Sequence, residues 1–298
     1  SSTGSQTSAL AVGGNPNSGI TEKWDGTNWT ESGDLNTGRH NSASAGSDNE
    51  AVITFGGQSP QRNNAEVFNG TSWTEVSELN LARHVMYGTG SSTAALGSGG
   101  NLPPSPYTAN TEIWNGSSWT EVAEMNTAKG RGGMSGSNTE ALVFSGTNGP
   151  SLVAVTENYN GTSWTELADL STQRYGGSST PGTSGSTTAT LYAGGASPPD
   201  SSATEEFSVP PPTAAILTEG DIFLSGGTTL KGFGKAAGIP AATWASGGNL
   251  NTGRGNMNGL GTQTAALGMG GSPNRADVES YNGTSFTEVN DINTARRA

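Results

Sequence analysis

The chain has 298 residues, 46 of them Gly and 14 Pro, with 13% charged and 31% hydrophobic residues. That composition excludes a coiled-coil or long-helix protein and lies near the low-complexity border. A formal net charge of −12 disfavours nucleic acid and anionic membrane surfaces as partners, because both need basic patches. The absence of Cys excludes disulfides, thiol catalysis and Cys-based zinc sites. No stretch approaches the roughly 18 apolar residues of a membrane span, so membrane insertion is not expected. The opening SSTGSQTSAL has neither the basic start nor the apolar centre of a signal peptide. Seven Trp, six Tyr and seven Phe spread along the chain argue against disorder, since each can anchor a small core.

The order of residues shows an internal repeat. A short apolar run ending in small residues comes first, ALAVGG at Ala9, and returns as AVITFGG at Ala51, AALGSGG at Ala94, ALVFSG at Ala141, TLYAGG at Thr190 and AALGMGG at Ala265. Next come a Glu, an aromatic, a turn and an aromatic-Thr-Glu: TEKWDGTNWTE from Thr21, then copies from Ala65, Thr111, Thr156 and Val278. A worn copy, TEEF, begins at Thr204, and Trp244 fills its missing second aromatic. LNTGR at Leu35 follows, with relatives at Leu79, Met125, Leu170, Leu250 and Ile292, spaced by 44, 46, 45, 80 and 42 residues.

Each repeat reads as four short strands. Strand a starts at the cation of the LNTGR segment, strand b is the apolar run, strand c carries the Glu and first aromatic, and strand d the second aromatic. Asn-Gly or Asp-Gly between c and d predicts a two-residue type I′ turn. The NGT and NGS triplets also match the N-glycosylation pattern, which the turn accounts for without a glycan.

Four antiparallel strands repeated at this period predict an all-β fold, a six-bladed β-propeller spanning residues 1–298, with seven blades as the alternative. The inventory favours six, because no LNTAR-type segment precedes the extra piece at about 209–241. That piece reads as a hairpin inserted in the fifth blade. INTARRA at the end would complete the first blade by supplying its strand a; the alternative is a window of a longer tandem array. On the Gly-Gly closing strand b and the aromatics of strands c and d, the chain resembles the kelch-repeat propellers. It resembles more closely the Ser/Thr/Asn-rich kelch-like repeats, with NGTSWTEV and LNTAR signatures, of predicted virion and tail-fibre proteins of marine bacteriophages.

This strand order places the d–a and b–c connections on one face. The b–c loops differ most between repeats, so Tyr107, Leu152, Arg62 and Arg275 on them are candidate binding residues. Arg39, Arg83, Lys129, Arg174, Arg254 and Arg296 open strand a on that face, opposite Glu22, Glu66, Glu112, Glu157, Glu205 and Glu279. They are read either as a basic ring for an acidic sugar or as ion pairs stitching strands a and c, the second being preferred. His40 and His84, the only histidines, follow the cation in successive repeats and are read as surface or channel-edge groups. No cofactor, metal site or catalytic constellation is expected. The resemblance implies a non-enzymatic binding or structural module, in a virion or extracellular. Its expected partners are a host-surface glycan or other virion or surface proteins, in head-to-tail or symmetric assembly. An extracellular bacterial or archaeal adhesion protein, and a carbohydrate-active enzyme, are the other readings.

Overall fold

The computed structural model describes all residues except 59–61, 103–104, 180–186, 197–199, 210–222, 226–228, 232–242, 273 and 296–298. It contains strands and no helix among the described residues. Six four-stranded antiparallel sheets follow one another along the chain. Blade 1 comprises β1 (Ser2–Ser5), β2 (Ser8–Gly14), β3 (Ser18–Trp24) and β4 (Trp29–Glu31). Blade 2 comprises β5 (Ala43–Gly46), β6 (Val52–Phe55), β7 (Ala65–Phe68) and β8 (Trp73–Val76). In blade 3, β9 (Tyr87–Ser91) and β10 (Ala94–Ser98) are followed by a small hairpin, β11 (Asn101–Leu102) with β12 (Ser105–Tyr107), before β13 (Thr111–Trp114) and β14 (Trp119–Val122). Blade 4 is β15 (Gly133–Gly136), β16 (Ala141–Phe144), β17 (Thr156–Tyr159) and β18 (Trp164–Glu166). Blade 5 is β19 (Ser178–Ser179), β20 (Ala189–Ala193) and β21 (Thr204–Ser208), then the hairpin β22 (Phe223–Ser225) with β23 (Thr229–Lys231), then β24 (Thr243–Ser246). Blade 6 is β25 (Asn258–Thr262), β26 (Ala265–Met269), β27 (Val278–Tyr281) and β28 (Phe286–Val289).

The first strands of the blades form the inner ring. β1 packs on β5, β5 on β9, β9 on β15, β15 on β19, β19 on β25, and β25 back on β1, so the molecule is a closed six-bladed β-propeller. Their small residues permit this approach. At Gly88 of β9, a Cβ would lie 2.8 Å from the Ala43 side chain of β5.

The strand registers pair the two aromatic positions of each repeat across the c–d connection: Trp24 with Trp29, Phe68 with Trp73, Trp114 with Trp119, Tyr159 with Trp164, Phe207 with Trp244, and Tyr281 with Phe286. Ring centroids lie 4.7–5.6 Å apart in blades 1, 2, 3, 4 and 6. Such pairs contribute about 0.5–1.5 kcal/mol beyond area burial. They fill the spaces between blades. Trp114 and Trp119, for instance, share one buried cluster with Ile53 and Phe55 of blade 2.

Three local expectations change. The c–d turns are not type I′ turns over Asn-Gly: the tip residues in blade 2 are Gly70 and Thr71, and only the glycine has positive φ, 93°. Asn69 stays extended because its Oδ1 accepts the N–H groups of Thr71 and Ser72, an Asx arrangement repeated at Asn115, Asn160 and Asn282. Strand a does not start at the cation but four residues later, at Ala43 after Arg39 for example, because a left-handed residue intervenes, Asn41 with φ 55°. The inner strand of blade 1 is β1, from the N-terminal segment rather than the C-terminal one.

Candidate functional site

The three sequence landmarks meet in one socket at each blade junction. At the junction of blades 1 and 2, Glu66 on β7 accepts the backbone N–H of Asn36 at 2.8 Å, the Asn36 amide at 3.0 Å and the Thr37 N–H at 3.3 Å, and it pairs with Arg39. The Asn36 amide also donates to the Trp73 carbonyl at 3.0 Å. The Gly14 N–H of the preceding blade donates to the Arg39 carbonyl at 2.9 Å, and a Cβ at Gly13 would sit 2.5 Å from that oxygen, which is why strand b ends in Gly-Gly. The same bond to the carboxylate recurs from Asn80 to Glu112, Asn126 to Glu157, Ser171 to Glu205 and Asn251 to Glu279. Asn293 reaches Glu22 at 2.8 Å and the Trp29 carbonyl at 3.2 Å, so the segment after β28 closes the ring onto blade 1 as the other linkers do between their blades.

The cations singled out in the sequence are buried in these sockets. Arg39, Arg83, Lys129, Arg174 and Arg254 are each 0% exposed. Besides Arg39 with Glu66, the ion pairs are Arg83–Glu112 at 2.9 Å, Lys129–Glu157 at 3.2 Å, Arg174–Glu205 at 3.0 Å and Arg254–Glu279 at 3.1 Å. Burial lowers the Arg83 pKa to about 10 while Glu112 opposes the fall. Burial likewise lowers Lys129, with Glu157 opposing. These side chains tie each interblade linker to strand c. Their burial leaves no open basic ring in these five blades. Arg296 lies outside the described residues.

Of the loop candidates, Arg275 is ion-paired to Asp277, its Nε 2.7 Å from Oδ2. Arg62 is half-buried, and its backbone is spent in the loop: its N–H donates to the Gly57 carbonyl, and its carbonyl accepts the Arg83 N–H. Leu152 is half-buried beside Thr147. Tyr107, at the end of β12, leans from blade 3 onto blade 4: a Cβ at Gly130 would come within 2.9 Å of its ring, and one at Gly149 within 3.7 Å.

Two residues beyond each buried cation the chain turns left-handed at the mouth of the central channel. The residues there are Asn41, Val85, Arg131, Gly176 and Asn256, with φ between 49° and 65°. They are linked from blade to blade: Val85 N–H donates to the Asn41 carbonyl at 2.8 Å, Arg131 to Val85 at 2.9 Å, Gly176 to Arg131 at 2.6 Å, and Met257 to Gly176 at 3.1 Å. Val85 is a β-branched residue in this region, an arrangement that costs about 1–3 kcal/mol and is maintained by its neighbours. This ring borders a cavity of about 130 Å³ lined from all six blades, including Ser1, Ser2, Asn41, Arg131, Asn256 and Asn258.

Arg131 is half-buried and its guanidinium lies over the Tyr175 ring, 5.9 Å from the centroid. Arg131 carries no repeat signal in the sequence, because it is not part of the repeated pattern. Aligning the repeats on their cations would have shown a charge at one copy of an otherwise neutral position. His84, one residue before Val85, is 5% exposed, and burial, then Arg131 and His40, lower its pKa to about 4. It is a buried neutral group beside the channel mouth, which fits the channel-edge and not the surface reading of its place in the repeat. His40 is half-buried, with Nδ1 2.6 Å from the Asn17 side-chain oxygen. Among the described residues, no group of three or more His, Cys, Asp or Glu is placed to hold a metal ion. No protein-family model matches the chain, and no curated protein matches it in sequence.

Proposed function

We propose that this propeller is a non-catalytic recognition module that holds a surface glycan on the face carrying the b–c loops and the channel mouth. The observation that carries this reading is the contrast between faces. The c–d turns of blades 1, 2, 3, 4 and 6 are built alike on Asn or Asp and Gly, whereas the b–c loops differ in length and sequence, and the d–a linkers beside them line a cavity at the channel mouth. The buried ion pairs support it by assigning the repeated cations to the scaffold. Resemblance to the kelch-like repeats of marine bacteriophage virion proteins supports a place in a virion or tail fibre facing a host-surface glycan. An extracellular adhesion protein would use the same face.

A glycan array probed with the wild-type protein and with Tyr107→Ser tests the reading. Retention of one or a few glycans, reduced in the variant, is expected. An array with no retained glycan would leave a spacer, and release of sugar from a retained glycan would make the chain an enzyme.

A further inference from the structure

We infer that the channel mouth is a carboxylate site, with Arg131 as the group that takes the acid function of an acidic sugar. This rests on the glycan-recognition reading and names the chemical class. Arg131 is the charged residue among those lining the cavity. Lys23, Arg39, Arg83, Lys129, Arg174, Arg254 and Arg275 each lie beside a carboxylate, whereas the Arg131 guanidinium has no carboxylate partner among the described residues and rests on Tyr175 instead. The fold does not require a charge there. The equivalent positions are Asn41, Val85, Gly176 and Asn256, which hold the same left-handed backbone without one.

Ser2, from the inner strand of blade 1, lines the same cavity. Asn41, Asn256 and Asn258 add amides to the lining. A planar guanidinium matches a carboxylate bidentately. The size fits a part of a ligand only. About 130 Å³ is below the roughly 300 Å³ at which pockets engulf a drug-sized molecule, so the acid-bearing end enters while the rest of the glycan lies over the loops.

The test is titration of the full chain with galacturonic acid, galactose and inorganic sulfate, followed by protein NMR shifts. Galacturonate is expected to bind at least about tenfold more tightly than galactose. Arg131→Asn, which places in blade 4 the residue that blades 2 and 6 already carry, should abolish that preference, and Arg131→Lys should retain part of it. Equal binding of galacturonate and galactose, an unchanged preference in Arg131→Asn, or sulfate binding as tight as galacturonate would each overturn the assignment. An array that retains neutral glycans, beside a galacturonate titration without preference, would overturn this inference and leave glycan recognition standing. An array retaining nothing, with galacturonate still bound at Arg131, would do the reverse.

Discussion

Replacing Glu112 by Ala removes the centre of one socket. In the native protein its Oε2 accepts the Asn80 backbone N–H at 2.7 Å and the Asn80 amide at 2.9 Å, and its Oε1 faces Arg83 at 2.9 Å, with both charged side chains fully buried. Arg83 would keep the Asn110 carbonyl at 2.6 Å and the Gly97 carbonyl at 3.3 Å but lose its countercharge. Breaking a buried pair from one side costs about 3–5 kcal/mol, and the orphaned Asn80 N–H adds about 1–3. Allowing for overlap, the loss is about 4–6 kcal/mol, a large part of the roughly 5–15 kcal/mol by which folded proteins are stable. Arg83→Met with Glu112→Leu removes both charges and should recover most of it, giving a coupling of about 3 kcal/mol. Urea unfolding followed by Trp fluorescence measures this, since Trp114 and Trp119 lie in the same blade. If the transition splits between blades, unfolding rates replace midpoints. A loss under about 1 kcal/mol for Glu112→Ala, or a double variant whose loss equals the sum for Arg83→Met and Glu112→Leu alone, would refute the socket as the link between blades.

The other predictions concern pH, the ring seam and the turns. The folded His84 pKa of about 4 lies below the ordinary value of 6.5, so the unfolded chain binds the proton first and stability falls as pH drops from about 6.5 to 4. In thermal melts across that range, His84→Gln should show a shallower decline than wild type; parallel declines would contradict the assignment. Glu22→Ala removes the carboxylate that holds Asn293 and should raise hydrogen exchange in β1 and β28 before the other blades, whereas uniform exchange would deny a seam. Asn115→Ala should cost about 1 kcal/mol in urea through loss of the acceptor for Ser117 and Ser118 N–H, with Asn115→Asp near neutral; equal losses would exclude the side-chain cap.

The blade architecture was legible because landmarks that serve the repeat recur in it. Glu66, Trp73 and Arg39 are far apart in sequence but recur together, and their recurrence carried the prediction of six blades and of cation–carboxylate pairs. What escaped was set by side-chain hydrogen bonds or by departures from the repeat. Asn-Gly reads as a hairpin tip until the Asn69 carboxamide is seen to take two backbone N–H groups, which moves the tip onto Gly70 and Thr71. The cation reads as the start of strand a until the left-handed turn at Asn41 is placed after it. Arg131 was passed over because it breaks the pattern, and it is that break which marks it as dispensable to the fold.

The repeated residues hold the scaffold together, and recognition is proposed for one face. Hydrogen exchange on the protein with and without a glycan retained on the array tests that division directly. Protection is predicted on the segments around residues 99–110, 130–132 and 145–155. Protection confined to the c–d turns at 69–72 and 115–118, or to strands β8 and β14, would contradict it.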